Sequence, residues 1–548
     1  MAVLSFKKFS GIAPKISPYK LAPEMAQIAN NVRLLKGTLA PWNTPITAAT
    51  VTSSGDVSTI YRFGQDLYSD SLYWFNWPAD VNVVKGAISG DETERTYYTH
   101  PTDGARFTYG GLALATGTGD FPRQSRKLGL PSPTSAPVAV VSVEGDVDSL
   151  SETRVYVYTF VTDLNEEGPP SAPSNLLDTY LLDSTVGLSG LGSAAPSGYE
   201  GHIVAKRIYR TLSGSLSTDY QLVDEIPISQ STFADTTLGA DLGEAIETVN
   251  WSAPPDGAFG ITQMANGIML VFKGYDIYPS EAYVPYAYPA AYSLSVDFPI
   301  VGAASLGTSA VILTTGHPYL LMGSDPSALS LVKLEAPQSC ASKRSIAAAD
   351  GGVIYASPDG LMVVSGSGQV TNLTAALFSR DEWQDLVPSS MHGYFHDGRY
   401  FCFYDNGVTQ AGFIYDAAQG TAAFTTLDLY ATAGYSDLLQ DSLYLKVGTT
   451  ILKWHASSTG LSYTWKSGKV ETASPTNPAC AQVVAASYPA TFKLYADDVL
   501  KHTQSVTSKE IFWLPSGYRA NFLEVEITGT AEVLSVQVAD SPQELRTV

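Results

Sequence analysis

The chain is poor in the residues on which most enzymes and nucleic-acid binders depend. Its 548 residues hold three cysteines, Cys340, Cys402 and Cys480. They are too few and too far apart for a disulfide framework or a zinc-ligand spacing, and they read as small buried hydrophobes. Histidine is scarce too, at seven. His392 and His396 have the spacing of a zincin pair, but Gly393 stands where the general-base glutamate is needed, and the pair flanks a turn before RYFCFYD instead of riding a helix. Basic residues number 32 against 53 acidic ones, a net charge of −21. The densest basic spots, Arg123 to Lys127 and Lys206 to Arg210, are too short to track a phosphate backbone, which argues against a conventional nucleic-acid binder. No apolar run reaches the length of a membrane span, and MAVLSFKKFSGIAPK lacks the apolar stretch of a secretory signal.

What is abundant is turn and aromatic residues: 46 Gly, 32 Pro and 32 Tyr, with 45% hydrophobic and only 16% charged residues. Such a composition predicts a turn-rich all-β protein of several domains. Residues 1–45 form an N-terminal arm broken by Pro14, Pro18, Pro23, Pro41 and Pro45. One short helical window runs from Glu24 to Leu35, with Met25, Ile28 and Val32 as its apolar stripe. The arm lies on a neighbouring surface or is a strap on its own domain. Residues 46–130 read as short strands (STIYRF, SLYWFNW, RTYYTH, ARFTYGG) with turns at Gly55-Asp56 and Asp103-Gly104. Three prolines between Gly129 and Pro137 then mark a stiff linker.

Residues 131–257 read as a sandwich. TRVYVYTFVTD alternates Val155, Val157, Thr159 and Val161 with Tyr156, Tyr158 and Phe160, and the proline-rich loop NEEGPPSAPS follows; both resemble fibronectin type III modules. HIVAKRIYR and DYQLVDEI supply a second strand pair. Over 258–460, five strand pairs recur roughly every 35 to 45 residues, the repeat of a propeller blade: NGIMLVFKGYDIYPSE, SAVILTTGHPYLLMGS, GGVIYASPDGLMVVSGSG, HDGRYFCFYDN with AGFIYDAAQG, and DSLYLKVGTTILKWH. Residues 46–130 supply one or two more. A small β domain over 461–548 ends the chain, with a hairpin turn at Asp497-Asp498. The expected fold is an all-β β-propeller with an inserted fibronectin-III-like sandwich, a small C-terminal β domain and an extended N-terminal arm.

The sequence offers no catalytic residue, no cofactor site and no metal site. Ser357-Pro358-Asp359-Gly360 is similar to the Asp-box turn of sialidase propellers, but the arginine cluster and paired Tyr/Glu of such an enzyme are missing, so a hairpin turn is expected. Glu166-Glu167 and Asp381-Glu382 are adjacent pairs in polar loops, not carboxylates facing each other across a cleft, and their default role is solvation. Gly366 to Gln369 reads as a hairpin loop; no nucleophile elbow, phosphate loop or dinucleotide fingerprint opens a strand-to-helix unit. The aromatic run from Tyr275 to Tyr292 fits either a subunit contact or a packed connection between blades.

The opening FSGIAPKISPYKLAPEMAQIANNVRLLKGTLAPW resembles the N-terminal signature of tail-nozzle proteins (tail tubular, β-propeller proteins) of short-tailed bacteriophages. The matching positions are Gly11, Ile12, Pro14, Leu21, Ala26, Gln27, Ala29, Asn30, Gly37, Leu39, Pro41 and Trp42. KRIYRT, DYQLVDEI, FADTTLGADLGEAIET, ASPDGLMVVSGSG and the closing FWLPSGYRANFLEVEITGTAEVLSVQVADSPQEL are similar to the family in the same order. The resemblance implies a non-enzymatic virion protein of the tail, made in the host cytoplasm, and a homohexameric ring below the tail adaptor that encloses the DNA ejection channel. Tail fibres or distal tail proteins would be further partners, and viral DNA would pass without specific binding. Gly11, Ile12, Pro14, Leu21, Gln27, Asn30, Leu39, Pro41 and Trp42 become the expected assembly contacts. The acidity then has two readings, solubility or a wall past which DNA slides. The alternatives are a carbohydrate-binding or carbohydrate-degrading propeller of a phage tail, and a tail-tip protein of a longer-tailed phage.

Overall fold

A computed structural model describes all residues except 1–3, 35, 52–55, 65–72, 213–218, 417–423 and 547–548. Gly55, the first two residues of SLYWFNW and the end of AGFIYDAAQG therefore lie outside the described residues. The fold is all-β. Its recurring unit is the four-stranded antiparallel meander, found over 82–127, 260–295, 300–333 and 347–372. Residues 392–427 form the same meander at one end of a ten-stranded sheet, and 433–453 form three strands completed by a fourth from elsewhere in the chain. The hairpins fall where alternation and turn residues place them. Gly352–Ser357 pairs with Gly360–Ser365 around Pro358-Asp359, and Gly360 takes φ +148°, a conformation that side chains disfavour.

The chain divides into two compact units: Met1–Asp80, Val311–Leu320 and Lys333–Val548 in the first, and Val81–Ala310 with Leu321–Val332 in the second. Within the first unit the leading strands of successive meanders run side by side: Ala347–Ala349 beside His392–His396, that beside Ala433–Asp437, and that beside Thr59–Phe63. Within the second, Gly260–Gln263 lies against both Asn82–Lys85 and Ile300–Leu306. Meanders stacked through their first strands are propeller blades. Their middle strands are sealed on both faces, as in Met269–Lys273, Ser309–Thr314 and Arg399–Asp405, which explains their near-continuous apolar runs.

The expected helix over 24–35 is not formed. Ala26–Asn30 and Val32–Arg33 are strands. Ala26–Asn30 pairs antiparallel with Tyr463–Ser467 and bridges in parallel to Phe424–Leu427 at Asn30 and Thr426. The helical spacing of Met25, Ile28 and Val32 does not mark one apolar face: Val32 is fully buried together with Ala26 and Ala29, while Ile28 is exposed. Two partners more than 390 residues away override a weak local preference. Leu4–Phe6 adds to Val533–Ala539, and Ile46–Thr50 is the fourth strand of the 433–453 blade, against Thr450–Lys453. Strands between residues 4 and 50 are thus laced into strands drawn from residues 424–539, all within the first unit.

The inserted sandwich packs Tyr156, Tyr158, Phe160, Ile203 and Ile208 from one sheet against Ala139, Val186 and Leu188 from the other. Tyr156–Thr162 is buried on both faces, not on alternate residues. The proline-rich loop runs along its free edge, where Gly168, Ser171 and Ser174 donate N–H groups to the carbonyls of Phe160, Tyr158 and Tyr156. In the C-terminal domain the Asp497-Asp498 hairpin forms as expected, both residues in the left-handed region.

Candidate functional site

Two places in the molecule concentrate polar and aromatic side chains: the N-terminal lacing in the first unit, and the seat of the sandwich in the second.

Trp465 is the hub of the lacing. It is fully buried, with Phe6 and Phe9 edge-on at centroid distances of 5.5 and 4.9 Å, and its indole N–H donates to the Ser10 carbonyl at 3.1 Å. The residues expected as assembly contacts lie in the same N-terminal segment and make the following contacts within the chain. Gly11 accepts the Ala26 N–H, and Ile12 donates its N–H to Phe424. Gln27 donates to the Ser467 carbonyl at 2.8 Å and to Glu524. Asn30 and its neighbour Asn31 both donate to Asp428, at 2.5 and 2.9 Å. Leu21 packs on the core of the 392–427 blade. Leu39 is fully buried and exchanges backbone hydrogen bonds with Val533, and Pro41 pairs with Val32. Trp42 packs with Phe401, Leu443, Leu445 and Trp454, with the guanidinium carbons of Arg33 and Arg399 each 5.6 Å from its ring. His455 faces the same ring and takes the Asn43 N–H on Nδ1; burial first, then Arg33 and Arg399, hold its pKa below the usual histidine value. Pro14 alone among the nine is exposed.

The second concentration has no counterpart among the sequence-based expectations. Glu166 and Glu167, expected to be solvated, are the centre of it. Glu166 is buried and pairs with Arg95 at 2.9 Å; Glu167 accepts from Thr159, Arg207 and Tyr209 at 2.6 to 2.7 Å. Beside them Arg126 holds Asp163 through both guanidinium nitrogens, at 2.7 and 3.0 Å, and contacts His202 Nδ1 at 2.8 Å. Burial, only partly offset by Arg95, pushes the Glu166 carboxyl up to about 7. A further buried network lies inside the sandwich: Asp235 accepts from the Tyr156 hydroxyl at 2.7 Å and from Arg210 at 3.1 Å, and Arg154 sits 3.6 Å away, itself paired with Glu152. The partners of these carboxylates are mostly tens of residues distant, so adjacency within Glu166-Glu167 carries no signal of them. Asp381-Glu382 divides in the same way: Asp381 is solvated, while Glu382 closes a capping box with Ser379 at the helix Arg380–Gln384.

Other candidate positions have structural roles. His392–His396 is the first strand of a blade, not a turn, so the histidines and Tyr394 lie on one face at period two. His392 is buried with its pKa well below the usual value, first through burial and then through Arg344. Among the described residues no group of three His, Cys, Asp or Glu side chains is placed to hold a metal ion. The three cysteines are buried and free. In the aromatic run, Tyr288 is buried in the blade core, whereas Tyr275 and Tyr283 are exposed.

No protein-family model and no curated protein matches this chain. Among solved structures, the WD40 domain of Neurospora crassa Pan2 is similar over 76% of this chain and 98% of its own, at 8% identity and a TM-score of 0.31. Saccharomyces cerevisiae Sqt1 is similar over 74% and 98%, at 10% identity and a TM-score of 0.26. The fold assignment rests on the sheets themselves.

Proposed function

We propose that this chain is a structural subunit of a bacteriophage tail, a nozzle ring below the tail adaptor through which the genome leaves the particle. The observation that carries the reading is the double role of the segment from Gly11 to Trp42. It holds the sequence signature that resembles the nozzle family, and those residues bind the blades to the C-terminal domain. A signature with a fold-holding role is one that proteins of the same architecture would share. The acidic balance of 53 against 32 is compatible with a duct past which DNA moves without adhering. Self-association into a closed ring, contact with the adaptor above and with distal tail proteins or fibres below, and location in the virion belong to the same proposal.

Electron microscopy of the purified protein, alone and mixed with its adaptor, tests it. A closed ring, sixfold by the family's pattern, is the expected result. A chain that stays monomeric with its adaptor and binds or cleaves a surface polysaccharide would overturn the assignment in favour of a carbohydrate-directed propeller.

A further inference from the structure

The sandwich is tied to the blade sheet of residues 82–127 in two ways. Its covalent ties are the linker 129–137, which leaves that sheet, and the linker 252–257, which leads on to the sheet beginning at Gly260–Gln263; the two linkers cross in contact. A Cβ on Gly129 would sit 2.6 Å from Pro254 Cδ and 2.8 Å from Ala253 Cα, and Gly129 has φ +79°, so only glycine fits the crossing. Its non-covalent ties are side chains. Among the described residues no strand of the sandwich pairs with a strand of that sheet. Instead Arg95, ahead of the strand Thr96–His100, reaches Glu166, and Arg126 in the strand Arg126–Lys127 reaches Asp163 and His202.

We propose that this joint is a proton-operated hinge: the crossed linkers are its pivot, and the Arg95–Glu166 and Arg126–Asp163–His202 contacts are a latch that proton exchange on Glu166 and His202 tightens or loosens, freeing the sandwich from the sheet without unfolding it. Glu166 is faced by Arg95, Tyr97 and Arg126 from the sheet and its connections, with Asp91 behind Arg95. From the sandwich it is faced by Asp163, and from the 275–292 connection by Tyr286, while His202 is faced by Asp163, Arg126 and Arg95. Ionised, it is a buried carboxylate with one direct cationic partner, and burial outweighs that partner. The closed joint therefore favours the protonated form: this contribution is fully present below about 4.5 and is lost as pH rises through about 7. His202 acts in the opposite sense. Burial and Arg126 keep it neutral against the pull of Asp163, so its contribution is present above 6.5 and lost as pH falls.

Hydrogen exchange of the full chain, read on amides of 129–137, 163–168 and 252–257 and corrected for intrinsic exchange, reports the opening constant. Moving a carboxyl from 4.5 to about 7 makes opening of the wild type, relative to Glu166→Gln, about tenfold easier at pH 8 than at pH 6. His202→Gln should let the tightening continue below pH 6. Arg95→Met, which leaves the carboxylate without its partner, should move the wild-type transition to higher pH. The hinge is overturned if wild type and Glu166→Gln keep a constant ratio from pH 6 to 8. It is equally overturned if core amides of Tyr156–Thr162 open in step with the linkers, because that is unfolding. The hinge stands apart from the tail assignment, and ring formation bears on neither outcome.

Discussion

The N-terminal segment and the inserted sandwich are both additions to a set of blades, and they are attached by opposite means. The N-terminal segment joins through backbone ladders: three of its strands enter three different sheets, and Trp465 seals the junction. The sandwich meets the sheet of residues 82–127 through side chains, ion pairs beside the ring contact of Phe107 with His202 and the packing of Leu164, next to a crossing of two prolyl linkers. A ladder has no titratable part and resists adjustment short of unfolding. A joint made of carboxylates, guanidinia and an imidazole can be altered by one proton. The first attachment is suited to holding a body rigid, the second to letting a module change position.

Substitutions in the two regions should separate these behaviours. The largest loss is expected from Trp465→Ala, about 3–5 kcal/mol for removing a fully buried indole. Calorimetry should show it as a lower transition for the unit that holds residues 1–80, with the sandwich unaffected. Asp235→Ala should cost a comparable or slightly smaller amount, of order 3 kcal/mol, because it leaves Arg210 without its carboxylate in the sandwich interior and takes away the acceptor of the buried Tyr156 hydroxyl. That loss should fall on the sandwich alone, and a single shared transition in both variants would break the comparison. The third effect, at Lys206, shows as a slope with pH. Lys206 is fully buried, donates to the carbonyls of Gly192 and Gln230, and burial lowers its pKa to about 8. Since the unfolded chain holds that proton to about 10.5, sandwich stability should rise with pH between about 8 and 10.5. Lys206→Met should flatten that slope, as urea midpoints across the range would show.

The hairpins are legible in the sequence because their determinants are local: alternation over five or six residues, and Asp-Gly or Asp-Asp at the turn. The sandwich is legible from Tyr156, Tyr158 and Phe160 on one face. Alternation alone does not report that the second face of that strand is buried too, or that its own loop closes the strand's edge. What escapes is non-local. Ala26–Asn30 is a strand because Tyr463–Ser467 and Phe424–Leu427 flank it, and nothing within ten residues reports those neighbours. Glu166 looks solvated because a glutamate in a proline-rich loop usually is, and Arg95 lies 71 residues upstream.

The pairing of the chain's first strands with its last ones has a consequence for how the protein is made. Ser10 accepts its hydrogen bond from an indole 455 residues later, so at roughly 5–20 residues per second the ribosome leaves the N-terminal segment waiting on the order of 20 to 90 seconds for its partners. Throughout that interval Phe6 and Phe9 lack Trp465, and Ala26–Asn30 lacks the strands that flank it. Nascent chains would therefore need shielding until termination, and the yield of folded protein should respond more steeply to chaperone supply than to codon choice in the blades.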